Sequence, residues 1–347
     1  MRLCAFSLLF IVMSGCSGAA TTPVVAARSA TAIPNGHASH SGFSIDGTLY
    51  IVELDQVDPS VIGAVQAYTG HKPRLLGTIA GLASGITTPY AIAPDRNGNI
   101  FVANGFGDSS CDTCTITEYA KQQYGDVAPL RTIGNVGPVN ALYIDRHENI
   151  YTAGEAIGSL AGNNAVYHDV NGTYQRTRQL ERRRLANGIA LDASGRIYLS
   201  TSRNGYHGNG AIEVFSAGTH GSARPIGTIT GPKTAIFSPS GLAFDQTSNL
   251  YVAQVAHASI TVYPAGSTNG NIAPLRTIAG PDTTIQYPTA LSFDRHGNLY
   301  VDDAGRVLVF APGAGGDAPP IATLSAPALQ HWAVAMTVFP QGTQSHY

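Results

Sequence analysis

The chain has 347 residues, 12% of them charged and 44% hydrophobic, with a formal net charge of −2. That is ordinary globular composition, which argues against disorder and collagen-like structure. The near-neutral balance argues against a nucleic-acid partner, which would want a strongly basic face. A chain of this size buries on the order of 75% of its unfolded surface. Its 39 Gly, 20 Pro and 16 Tyr favour short strands joined by tight turns.

At the N-terminus, Met1-Arg2 supplies a positive start, and Leu3 to Met13 is an apolar run too short to span a bilayer as a stable helix. It leads into Met13-Ser14-Gly15-Cys16. Small residues before a cysteine resemble the lipobox of bacterial lipoproteins. The resemblance implies that residues 1–16 are a signal peptide and lipobox, and that Cys16 is acylated, palmitate included, and becomes the mature N-terminus. By the same resemblance, Ser17 in place of Asp implies sorting to the outer membrane. The expected location is therefore the cell envelope, on its periplasmic or surface face, with membrane contact through the lipid anchor only. Residues 17–40 lack any apolar period and are rich in small residues, which predicts a flexible tether. With Cys4 leaving in the signal and Cys16 carrying lipid, Cys111 and Cys114 remain, and an even remainder in an exported chain reads as one disulfide.

From residue 41 the chain repeats. YAIAPDRNGNIFVA from Tyr90, NALYIDRHENIYTA from Asn140, NGIALDASGRIYLS from Asn187, SGLAFDQTSNLYVA from Ser240 and TALSFDRHGNLYVD from Thr289 align without gaps. A sixth copy, SGFSIDGTLYIV from Ser41, matches after a shortened turn. The shared aspartates, Asp46, Asp95, Asp145, Asp192, Asp245 and Asp294, lie 49, 50, 47, 53 and 49 residues apart, a period that means a radial repeat. Four residues before each aspartate only Gly or Ala occurs, as expected where innermost strands crowd a central axis. The aspartate opens a turn in which its side chain can accept backbone N–H groups just ahead. The next strand carries one aromatic per copy, Tyr50, Phe101, Tyr151, Tyr198, Tyr251 and Tyr300, to fill the gap between blades.

A third strand follows in most copies (from Ile116, Ile212, Ile260 and Val307) and a fourth begins at Pro129, Pro225, Pro274 and Pro320, where an edge strand tolerates proline. Four antiparallel strands in six units predict an all-β, six-bladed propeller over residues 41–339, followed by a tail at 340–347. The last apolar stretch, HWAVAMTVFP from His331, looks like another innermost strand. It is expected to complete the shortened first blade and close the ring, with Trp332 near the seam.

The unit resembles the NHL repeat, within the broad group of regucalcin- and gluconolactonase-like propellers. In those enzymes the channel mouth supplies metal ligands: a Glu in an early blade, an Asn followed by Gly, and an Asp in the blade after. Five residues before each aspartate this chain has Ser41, Tyr90, Asn140, Asn187, Ser240 and Thr289, a neutral polar ring. Asn187-Gly188 matches the Asn-Gly element, but Ser41 and Ser240 stand where the resemblance requires carboxylates. Hard divalent cations want carboxylate oxygens. No cofactor is therefore expected; Glu53, Asp55, Asp302 and Asp303, on blades that become neighbours when the ring closes, read as solvated loop carboxylates, with a divalent cation site at the rim as the alternative. His207, His257 and Glu155 occupy equivalent second-to-third-strand loops and read as ordinary polar loop residues; the alternative is acid–base chemistry, for which streptogramin lyases, also propellers, use such groups.

CDTC, from Cys111, runs straight into a strand, which favours a static disulfide over redox chemistry. RTRQLERRR, from Arg176, places five arginines in nine residues on the outer strand of the third blade and its exit. It reads as a solvated edge protected from sheet association, with contact to an anionic surface such as lipid headgroups or an acidic glycan as the alternative. The expected function is a non-catalytic binding or scaffolding module using Tyr90, Asn140, Asn187, Ser240 and Thr289 at the mouth, with a protein, glycan or small ligand as partner. The alternative is a divergent lactonase- or lyase-type enzyme working around Asn187.

Overall fold

A computed structural model describes residues 44–53, 63–70, 74–105, 114–154, 164–180, 185–202, 210–218, 220–324 and 333–339. The lipobox, the tether, Ser41, Asp55, Cys111, Glu155, His207, residues 181–184 and Trp332 lie outside the described residues.

Strand order follows the repeat. Blade one contains β1 (Ile45–Glu53), β2 (Ala64–Gly70) and β3 (Arg74–Ile79), and blade two β4 (Ala91–Pro94), β5 (Ile100–Asn104), β6 (Thr115–Tyr119) and β7 (Arg131–Ile133). Blade three is β8 (Val139–Ile144), β9 (Ile150–Gly154), β10 (Ala165–Val170) and β11 (Thr173–Leu180). Blade four is β12 (Leu185–Leu191), β13 (Ile197–Ser202), β14 (Gly210–Phe215) and β16 (Gly227–Ile229), with the short β15 (Gly221–Ala223) between the last two. Blade five is β17 (Pro239–Phe244), β18 (Leu250–Gln254), β19 (Ser259–Tyr263) and β20 (Arg276–Ile278). Blade six is β21 (Pro288–Phe293), β22 (Leu299–Asp303), β23 (Arg306–Phe310) and β24 (Ala322–Leu324). The last strand, β25 (Ala333–Phe339), returns to blade one, whose sheet order is β25-β1-β2-β3. The ring is thus closed by pairing the end of the chain with its first strand, as the sequence predicts.

One expectation is corrected here. Because β25 pairs with β1 antiparallel, β1 is the second strand of its blade, and the innermost strand comes from the C-terminus. Val52 pairs with Ala335 and Glu53 with Ala333, so Ala335 takes the crowded Gly/Ala position and Val334 the mouth position. Neither falls to Gly42 or Ser41.

The turns behave as the aspartates dictate. In every described copy one carboxylate oxygen accepts two backbone N–H groups: Asp95 takes those of Asn97 and Asn99 at 2.8 and 2.9 Å. Asp145, Asp192, Asp245 and Asp294 repeat this with the residues two and four ahead. The second carboxylate oxygen takes an Asn side chain, or in blade four the Arg196 guanidinium at 2.6 Å.

The core lies between blades. Among the described residues there are six buried clusters, each joining two neighbouring blades, and Phe101, Tyr151, Tyr198, Tyr251, Tyr300 and Tyr50 each sit in the cluster shared with the next blade. Tyr198 meets Phe244 and Tyr251 meets Phe293 edge-to-face across these seams, at 5.0 and 4.9 Å. The Gly/Ala rule has its cause in the same crowding: a Cβ on Gly188 would lie 2.2 Å from the Ser240 carbonyl oxygen of the next blade.

The arginine-rich strand differs from its expectation. β11 is not a free edge, because β15 from the next blade pairs with it in parallel. Arg178 is 5% exposed and donates to the carbonyls of Ser216 and Gly218 at 2.9 and 2.6 Å. Its charge is therefore spent between blades, and burial pulls its pKa down.

Candidate functional site at the channel mouth

Strand direction places the starts of inner strands, the ends of second strands and the linkers between blades on one face. The Asp turns lie on the other. On the mouth face, register shifts interrupt the pairing of β8, β12, β17, β21 and β25 with their second strands. These bulges aim Asn140, Asn187, Ser240 and Thr289 sideways from the ladder.

Three of the four reach the next blade. Asn140 Nδ2 donates to the Ala186 carbonyl at 3.0 Å, Asn187 Nδ2 to that of Pro239 at 3.1 Å, and Ser240 Oγ to that of Thr289 at 2.9 Å. Ser200, on the second strand of blade four, adds a bond from its hydroxyl to the Ser240 carbonyl at 2.6 Å. Three of the five residues foreseen as a ligand surface thus also hold neighbouring blades together. Asn187 and Ser240 are 6% and 4% exposed. Tyr90 is half-buried, with its backbone N–H bonded to the Ala103 carbonyl at 2.9 Å.

Thr289 departs from this pattern. Its hydroxyl turns back within blade six to donate to Asp302 Oδ2 at 2.8 Å. Asp302 and Asp303, expected as solvated loop carboxylates, instead end β22 and are both fully buried, because the seams on either side of the strand close over them. Their surroundings differ. Asp303 Oδ1 accepts the N–H groups of Gln286 and Tyr287 at 2.8 and 2.6 Å, and its Oδ2 pairs with Arg306 at 2.9 Å. Asp302 has no such cation. Burial, above all, raises its carboxyl pKa to about 7, against a lowering bond from Thr289.

The residues three places after the blade aromatic share a task that the sequence reading missed. Asn104 accepts the N–H of Thr87, Gln254 that of Phe237, and Asp303 those of Gln286 and Tyr287. Each pins the linker entering its own blade. The linkers themselves repeat as GLASGI from Gly81, GPKTAI from Gly231 and GPDTTI from Gly280. Their backbone N–H groups are held by Asp126, Asn271 and Asp317 from the blade that follows. A sequence signal existed, since each acceptor follows a glycine and precedes a proline by two or three places.

Of the acid–base candidates, His257 ends a short 3-10 turn and stacks on Phe237, with ring centroids 5.0 Å apart. Phe237 is 37% exposed and Tyr287, at the entrance of blade six, 62%. Among the described residues no three His, Cys, Asp or Glu side chains gather as a metal-binding group, and no helix is long and apolar enough to cross a membrane. Cys114 is buried at the mouth end of β6.

The fold defines the class: a six-bladed β-propeller. The sequence matches no protein-family model and no curated protein. Among solved structures, a protein of unknown function from Bacteroides caccae superposes with a TM-score of 0.57 at 11% identity, over 84% of this chain and 98% of that one. A protein from Lactobacillus plantarum gives 0.53 at 14% identity, over 82% and 83%. The β-propeller domain of Cps50 (Swd1) from Myceliophteria thermophila gives 0.50 at 11%, over 85% and 90%. At such identities the likeness is one of fold, and fold alone does not assign a task.

Proposed function

We propose that this is an NHL-like propeller, anchored to the cell envelope by lipid on Cys16, that acts as a non-catalytic binding or scaffolding module. The observation carrying this reading is the use of the mouth side chains. Asn140, Asn187 and Ser240 each spend a donor on a carbonyl of the neighbouring blade, leaving Asn187 Oδ1 buried and unpaired, and the ring carries no carboxylate to join that oxygen in the charged ligand set a lactonase-type site needs. The surface offered instead is aromatic: Phe237, His257 and Tyr287 lie on the mouth face over blades five and six. Exposed aromatic rings beside polar groups are the usual anchors of a binding patch. A Cys111–Cys114 disulfide, closing the loop before β6, belongs to the same extracytoplasmic reading.

Two measurements test it. Labelled palmitate should enter the wild-type chain in cells and be absent from Cys16→Ser. The purified mature protein should show no lactone hydrolysis above buffer, with or without added divalent cation. Turnover that Asn187→Ala abolished would instead establish the enzymatic alternative.

A further inference from the structure

Two residues beyond the blade aromatic, each second strand presents a side chain to the following blade. Five blades place Val52, Ala103, Ala153, Ser200 and Ala253 there, and blade six places Asp302. Asp302 shares its strand face with Tyr300, which packs in the cluster joining blade six to blade one. The carboxyl therefore faces the seam where β25 closes the ring. Its Oδ2 accepts from Thr289, whereas Oδ1 is buried without a hydrogen-bond partner.

Blade four shows what this position does when it can donate. Ser200 pairs with Gly188 as Asp302 pairs with Ala290, and the Ser200 hydroxyl donates across the seam to the carbonyl of Ser240, a bulge residue. The bulge residue of β25 is Val334. Register thus sets its carbonyl where Asp302 Oδ1 needs a partner, but a carboxylate and a carbonyl are both acceptors.

We propose that Asp302 is a protonated latch on the ring-closing seam, its Oδ1–H donating to the main-chain carbonyl of Val334, and that loss of this proton to solvent weakens the closure. The surroundings favour the neutral acid. β25 and β21 carry no charged residue, Arg306 of β23 is engaged by Asp303, and the Asp303 carboxylate next along β22 opposes a charge on Asp302. The carboxyl pKa near 7 agrees with that. An unfolded Asp titrates near 4, so the latch stabilises fully below that pH. It is lost progressively as pH rises to about 7, and above that the difference is constant.

The test compares the full chain with Asp302→Asn, whose amide donates permanently, in urea unfolding from pH 4.5 to 8.5. The ratio of wild-type to variant folding constants should fall up to about tenfold per pH unit until about pH 7, then level off. Asp302→Ser, the side chain of blade four, should give the same profile and serves if the amide variant does not fold. Infrared difference spectra of the unaltered protein should show a carboxylic-acid C=O band at pH 6 that is gone at pH 8.5. A ratio independent of pH, or no such band, overturns the latch.

Discussion

Asp245 shows how much of this fold rests on single turn residues. Burial pushes its carboxyl pKa up, but hydrogen bonds from Asn249 and Thr247, side chain and backbone, outweigh that and leave it below the usual value. A depressed carboxyl stabilises above its unfolded pKa, and that contribution fades as pH falls through the folded one. Asp245→Ala should cost ~1–3 kcal/mol at pH 7 in urea unfolding, with the deficit shrinking in strong acid. Gly188 is a steric counterpart. Gly188→Ala would press a methyl on the Ser240 carbonyl, and a loss of ~1–3 kcal/mol is expected in the same assay. Both residues were legible in the sequence, because turn chemistry and axial crowding act at one place in each repeat. The direction of the Asn187 amide was not, because its acceptor, the Pro239 carbonyl, lies 52 residues away.

Among the elements, β11 and β25 depend most on what neighbours them. β11 looks like an exposed basic edge when its sequence is taken alone, yet β15 covers it and Arg178 bridges to the Ser216–Gly218 turn. Arg178→Met keeps the apolar stem but strands those carbonyls, and should cost on the order of 2 kcal/mol by urea unfolding. In β25, Met336 is 4% exposed within the cluster joining blades six and one. Met336→Ala should cost about 2–5 kcal/mol, a range that a thermal melt resolves easily. The fourth strands are shorter than their repeats suggest. β7, β16, β20 and β24 have three residues each and begin two places after the proline. The residue between already bonds the third strand, as Leu130 N–H does to the Glu118 carbonyl at 2.7 Å.

At the scale of the molecule, the ring is closed once, by β25, and seam chemistry varies around it. Ending the chain after Leu324 would leave the inner edge of β1 unpaired. Loss of a single cooperative transition by circular dichroism is expected, with association through the open edge visible in light scattering. The sequence by itself determined the number of blades, the chemistry of their turns, the aromatic wedge in each seam and the strand that closes the ring. Each of these repeats locally, within a few residues of the shared aspartate. Only the tertiary structure decided that the mouth asparagines and serine face their neighbours, that Val334 takes the place expected of Ser41, and that Asp302 is buried without a cation. The first depends on carbonyls some fifty residues away and the second on pairing between the two ends of the propeller. The third depends on the closed seam, and all are settled only when one blade packs on the next.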